Sequence, residues 1–294
     1  MPNQLQGLNL STVASLTLDH LGFSFPFFAH FARNFSDGVR QRGEGVTTRI
    51  PLAVNAMDLS GGYSPGDIET TEVSIDLTHM KGFSIGLTDL EVSKAASADF
   101  IFNIFTRPAI EATAKAFADT LFGLITPTNF PTSISKSSAD FDTDEVAQAQ
   151  ELLSTAKAPK SMRSMILDVD YTTAIMKDSL IYADEYNTRD PLLNGEVSDV
   201  FGMGIVEYQG IPTDNNLRGF ACHPSALVMA ARHVAEPAFG ANVEVLSVVE
   251  PLTGLPLQFR RSYDATAGLT YLSVSCLWGV AVGNSSCGIR IVTP

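Results

Sequence analysis

The side chains in this sequence that could do chemistry are few, and their spacing gathers little of it in one place. Asp168 and Asp170 stand two apart at the end of an apolar run and could form a carboxylate pair, yet nothing nearby marks a third ligand. Asp170 also suits a plainer task, capping a helix expected from about Tyr171. Cys222 and His223 are adjacent, so on a strand they point to opposite faces and do not readily share one ion; His233 follows ten residues on. Asp58, Asp67 and Glu69 fall in a glycine-rich segment where calcium could be imagined, but the EF-hand spacing is missing and a solvated loop fits better. Gly202-Met203-Gly204 would need glycine at position 207 to imitate a dinucleotide fingerprint, and Glu207 stands there. Neither a Walker-type phosphate loop nor a G-x-S-x-G nucleophile elbow occurs. The expectation is therefore no catalytic, cofactor-binding or metal residues, and no cofactor. One enzymatic alternative stays open: an α+β enzyme with a site near Asp168, Asp170 and His223, which requires a pocket joining them.

Composition narrows the classes further. With 294 residues, 45% of them apolar and 17% charged, the chain can bury a real core. The low charged fraction suits a surface covered by other copies. A net charge of −13, with Arg260-Arg261 the densest basic pair, argues against a protein whose work is gripping phosphate. Contact with nucleic acid is expected to be weak and non-specific. Three cysteines make no disulfide framework and fit a reducing, intracellular origin. The first basic residue is Arg33, so a secretory n-region is not seen, and the apolar run from Phe23 to Phe31 contains Pro26 and is too short to span a bilayer. A soluble, cytosolic protein without membrane contact is expected.

The elements that must carry these residues are legible in part. Thr106 to Ile125 reads as one long helix, capped by Thr106, with Pro108 in its first turn and Gly123 and Pro127 at its end. Ile110, Ala114, Phe117, Leu121 and Leu124 make its apolar stripe; Glu111, Lys115 and Asp119 make a charged strip. Residues 1–44 read as an arm with a phenylalanine cluster, either buried under the core or docked on a neighbour. From 45 to 90 the period is two, over Val46 to Val54, Val73 to Leu77 and Phe83 to Leu87. His79 to Gly82 is expected to turn a hairpin between the last two runs, and Asn55 to Thr70 to form a long loop. The whole reads as a thin β tongue that must lie on something else. Residues 126–140 read as a linker or exposed loop. Then follow a helix from Asp142 to Ala156, a strand from Met165 to Val169, a strand from Gly204 to Tyr208, and a strand from Leu217 to Cys222 running into a helix from Pro224 to Val234. From Asn242 the chain is β-rich, with Leu272, Val274, Cys276, Trp278, Val280 and Val282 alternating on one face.

This succession resembles the major capsid (coat) proteins of tailed double-stranded DNA bacteriophages, in the short form of the podovirus coat family. The resemblance is carried by E-G-V-T-T-R-I-P-L (44–52), V-S-I-D-L (73–77), F-S-I-G-L-T-D-L (83–90) and R-P-A-I-E-A-T-A-K-A-F-A-D-T-L (107–121). G-F-A-C-H-P-S-A-L-V-M-A (219–230) and R-R-S-Y-D (260–264) with Y-L-S-V-S-C-L-W-G-V (271–280) add to it. It implies an α+β, tailed-phage major-capsid-protein fold: N-terminal arm 1–44, extended β tongue 45–90, spine helix of a peripheral domain 91–127, axial α/β domain 128–240 and closing peripheral strands 241–294. It implies a non-enzymatic subunit that assembles into hexamers and pentamers of an icosahedral shell. Scaffold, portal or decoration proteins would be partners, packaged double-stranded DNA would be touched weakly, and the location would be the virion, after assembly in host cytoplasm. A tail or encapsulating-compartment subunit is the related alternative.

Overall fold

The computed structural model describes residues 26–51, 60, 70–94, 107–178, 197, 199–236, 243–249 and 254–294. The Thr106 cap, most of the Asn55 to Thr70 loop with Asp58, Asp67 and Glu69, and residues 1–25 lie outside the described residues. In chain order the strands are β1 (Ala32–Arg40), β2 (Gly45–Pro51), β3 (Thr70–Asp76), β4 (His79–Thr88), β5 (Ser133–Ser135), β6 (Ser164–Leu167) and β7 (Asp199–Val200). After them come β8 (Met203–Glu207), β9 (Leu217–Cys222), β10 (Leu227–Val234), β11 (Val243–Val249), β12 (Pro256–Asp264), β13 (Leu269–Val282) and β14 (Gly288–Val292). A six-stranded sheet runs β1-β10-β13-β12-β11 with β4 on the other edge of β13; a second runs β5-β14-β9-β6-β8-β7; β2 and β3 pair by themselves as a ribbon. The sheets are not built from consecutive stretches. β1, β4 and β10 come from the arm, tongue and axial stretches yet share the sheet of the closing strands, and β14 leaves those strands for the second sheet.

The long helix is Arg107–Phe122, 16 residues and roughly 24 Å long. Ile110, Ala114, Phe117 and Leu121 are buried against the first sheet, while Lys115 and Asp119 are exposed. The helix fits so closely over Leu257, Val274, Cys276 and Trp278 that the gap between them is only ≈ 10 Å³, no more than one water needs. The arm's phenylalanines complete this core. Phe27 and Phe28 sit in a single 3₁₀ turn, Pro26–His30, with Phe28 4.9 Å from Phe117 and Phe27 5.6 Å from Phe122, centroid to centroid. Of the two readings of that cluster, burial in the chain's own core describes Phe27, Phe28 and Phe31.

The helix expected from Pro224 to Val234 is absent. Pro224–Ala226 makes one 3₁₀ turn, capped by the His223 side chain, and the chain then continues as β10. Leu227 through His233 are all buried, with β1 parallel on one edge and β13 antiparallel on the other. A strand covered on both faces shows a continuous apolar run instead of an alternating one. Ala230 and Ala231 are strong helix formers, but propensity is worth less than about 1 kcal/mol per residue, and the two flanking strands outweigh it.

The hairpin expected at His79 to Gly82 is also absent. Those residues lie inside β4, which pairs along its length with β13, from Leu269↔Thr88 to Trp278↔His79. β3 pairs instead with β2, from Gly45↔Asp76 to Pro51↔Thr70. Alternation identified both strands correctly but carries no record of which edge each one joins. The base of the ribbon does have a core within its own chain. Val46, Val73, Ile75 and Leu77 pack on Val228, Ala230 and Leu277 of the first sheet. Gly279 is needed for that approach, because a Cβ there would stand 2.3 Å from the Asp76 carbonyl oxygen. Asn34 joins the layers: its amide donates to Thr48 Oγ1 at 2.7 Å, and its Oδ1 accepts from the buried Arg232 at 2.8 Å.

In the second lobe the supposed linker 126–140 contributes β5, parallel to β14, with Phe130 and Ile134 buried. The helix Thr143–Thr155 follows, with Asp142 and Glu145 forming a capping box. Arg163 fastens its far end, donating to the carbonyls of Gln150, Ala158 and Pro159. The next helix, Val169–Met176, is capped by Asp168; Asp170 is exposed in its first turn, so the cap lies two residues earlier than expected.

Candidate assembly surfaces

The residues of the enzymatic alternative do not meet. β6 and β9 are antiparallel with Ser164↔Cys222 and Leu167↔Gly219 paired, so His223 lies beyond one end of β6 and Asp168 beyond the other. Some five residues of strand, roughly 16 Å, separate them. Asp168 is committed to Val169 N at 2.8 Å and to Arg218 at 3.4 Å. His223 Nδ1 accepts from Ser225 N at 3.2 Å, and burial, helped by Arg163, holds its pKa below the usual 6.5. Cys222 and Cys276 are buried, which pushes their thiols up to about 12 and leaves them poor nucleophiles at neutral pH. Among the described residues no three His, Cys, Asp or Glu side chains are grouped to hold a metal ion, and no helix is long and apolar enough to cross a membrane.

Buried cations are the feature that sequence reading missed. Arg163, Arg232 and Arg290 are all buried, and burial lowers the pKa of each. Each is met by carbonyl oxygens: Arg290 donates to Phe130 O at 2.7 Å and Arg232 to Ala231 O at 2.8 Å. A guanidinium keeps its charge and offers five donors, so it can tie several orphan carbonyls of loops and strand ends at once. These arginines are structural fasteners; no single spacing in the sequence announces them.

What the surface offers is apolar and exposed. Met80 (45%) and Phe83 (47%) stand on β4, and Met162 (71%) and Phe201 (43%) stand at the second lobe. β4 closes one side of the first sheet with no strand beyond it among the described residues, so its outer backbone groups are unpaired by strands. An open basin of ≈ 680 Å³ lies at the start of the Thr143–Thr155 helix, lined by Phe141, Asp142, Asp170, Ala174, Lys177 and Asp178 among others.

No family model and no curated protein matches the sequence. Solved structures do. A chain of the capsid of cyanophage P-SCSP1u superposes with a TM-score of 0.54 at 15% identity, over 90% of this chain and 86% of that one. A chain of the mature capsid of bacteriophage PhiM1 gives 0.55 at 11% identity, over 91% and 86%. A chain of a virus-like particle from Pyrococcus furiosus gives 0.56 at 11% identity, over 96% and 98%. The chain has the α+β fold of tailed-phage major capsid proteins.

Proposed function

We propose that this protein is the structural subunit of a closed icosahedral shell, assembling through hexamers and pentamers. The observation that carries the reading is the likeness to the two capsid chains and the particle chain over nearly their whole lengths. In this reading the exposed apolar side chains of β4 and of the second lobe are available for contact with other copies. In this reading the first sheet with the long helix is the peripheral lobe, the second sheet with its two helices the axial lobe, and the β2–β3 ribbon the base of the tongue. Heterologous contacts that close give rings, and rings tile the shell. The subunit is not a catalyst and needs no cofactor. Scaffold, portal or decoration proteins are its partners, and packaged double-stranded DNA meets a chain of net charge −13 only weakly. It resides in the virion and assembles in the host cytoplasm.

Negative-stain electron microscopy of the purified chain, with and without a co-expressed scaffold, tests this. Closed particles tens of nanometres across are expected, roughly the size a shell of such subunits must have. A monomer under every condition would refute it. The likeness to a virus-like particle chain leaves an encapsulating-compartment shell as the second reading, and the contents of the particles distinguish the two: nucleic acid for a virion, a protein cargo for a compartment.

A further inference from the structure

The second lobe is polarised along the Thr143–Thr155 helix, a rod of 13 residues and roughly 20 Å. At its far end the loop 157–162 and the β7–β8 turn lie together. Arg163 O accepts from Gly204 N at 3.1 Å, and Gln150, which Arg163 holds, donates to Phe201 O at 3.0 Å. Lys157, Lys160, Met162 and Phe201 are all exposed there. Three of them hold left-handed backbone, with φ of 59° at Lys157, 60° at Met162 and 51° at Phe201. Bulky side chains are disfavoured in that region, and a hairpin turn such as 201–202 normally takes Asn or Gly. At the near end Asp144 and Asp170 are exposed and Asp142 and Asp178 line the basin, with Lys177 beside them; Phe141 and Ala174 give it apolar walls. One end thus presents two exposed lysines and two apolar tips, with Asp199 at the foot of the turn, and the other is an acidic-rimmed basin.

We propose that the 157–162 loop and Phe201 of one copy dock on this acidic basin in a second copy of the chain, joining the lobes head to tail. Charge complementarity selects the partner, and Met162 and Phe201 supply the buried apolar contact. The contact is heterologous, so it propagates from copy to copy and gives a ring where its rotation closes. This rests on the shell reading and names the surface that would close its rings.

Two charge-reversed variants test it: Lys157→Glu with Lys160→Glu, and Asp144→Lys with Asp170→Lys. All four residues are exposed, so both variants should fold, as circular dichroism would confirm. Each alone should fail to form rings or shells at concentrations where the parent assembles. Mixed one to one, every contact between the two kinds is again complementary, so rings with an even number of subunits should return while odd-numbered rings do not. Phe201→Asn should raise the melting temperature of the free subunit, since Asn tolerates its φ, yet raise the concentration needed for assembly about tenfold. Parent-like assembly of either charge variant alone, or no recovery on mixing two folded variants, overturns the proposal. Failure of the parent itself to assemble would instead strike the shell reading.

Discussion

β3 and β4 follow one another in the chain, and both show clean two-residue alternation, yet they end in opposite situations. Val73 and Ile75 of β3, with Leu77 just beyond it, are buried on the face of the first sheet. β4 buries only Leu87, half-buries Ile85 under the long helix, and leaves Phe83 and Met80 in solvent. The same pattern therefore gives one strand that belongs to the chain's interior and one that finishes an edge. The difference lies in what stands opposite: β3 crosses a sheet that is already complete, whereas β4 extends it. A period of two reports that a strand has two unlike faces. It does not report whether the apolar face is covered by the same molecule.

The largest effect expected from testing that contrast lies in the frame on which both strands rest. Phe117 lies 5.1 Å from Trp278, centroid to centroid, and Trp278 is paired in register with His79 at the start of β4. Phe117→Asp places a charge in this core without a partner and should abolish folding, while Lys115→Glu on the exposed strip leaves a soluble subunit; expression with circular dichroism reads both. Next in size, Ile75→Ala should cost about 2–5 kcal/mol, because it opens a cavity between ribbon and sheet. Phe83→Ala should stay within about 0.5 kcal/mol in the free subunit. Equal losses in urea titrations would mean that β4 is covered after all and would dissolve the contrast.

The smallest effect separates the strands by pH. His79 stacks on Trp278 at 6.0 Å, and its pKa lies below the usual 6.5, through burial first and then Lys81 and Arg42. The fold thus favours neutral His79. Its stabilising share is complete above the unfolded value of about 6.5 and is lost as pH falls through that value toward the lower folded one. His30 and His223 shift the same way and for the same leading cause, burial. Amide exchange at pH 5.5, compared with 7.5 after correction for intrinsic rates, should show extra opening at the His79 end of β4 with β3 little changed. Protection that rises on acidification would contradict the assignment.

What could be read in advance follows the same physics. The helix Arg107–Phe122 was legible because one stripe is buried and the rest is wet, so its periodicity is written in residue type. β10 was not, because every residue from Leu227 to His233 is buried and no period survives. Pro224 then looked like the first residue of a helix when it only opens a 3₁₀ turn. The scattering of Asp168, Asp170 and His223 was foreshadowed by their lack of a motif, but separating them took the antiparallel register of β6 and β9. The polarity of the second lobe was hidden for a related reason: Met162 and Phe201 are far apart in sequence and are brought to the same end by the pairing of β6 with β8 and by the bonds of Gln150 and Arg163.

The joining of the first strands to the last also sets a timetable for the molecule's birth. Arg232 holds Asn34 across 198 residues of chain, and Ser84 meets Ser273 across 189. β1 and β4 have no partners in the first sheet until most of the polypeptide has left the ribosome, since their neighbours are β10 and β13. Pairings this distant make for slow folding, on the order of milliseconds to seconds for much smaller domains of high contact order. A nascent chain therefore waits with the edges of β1 and β4 open, and the first sheet is completed only when its synthesis is nearly finished.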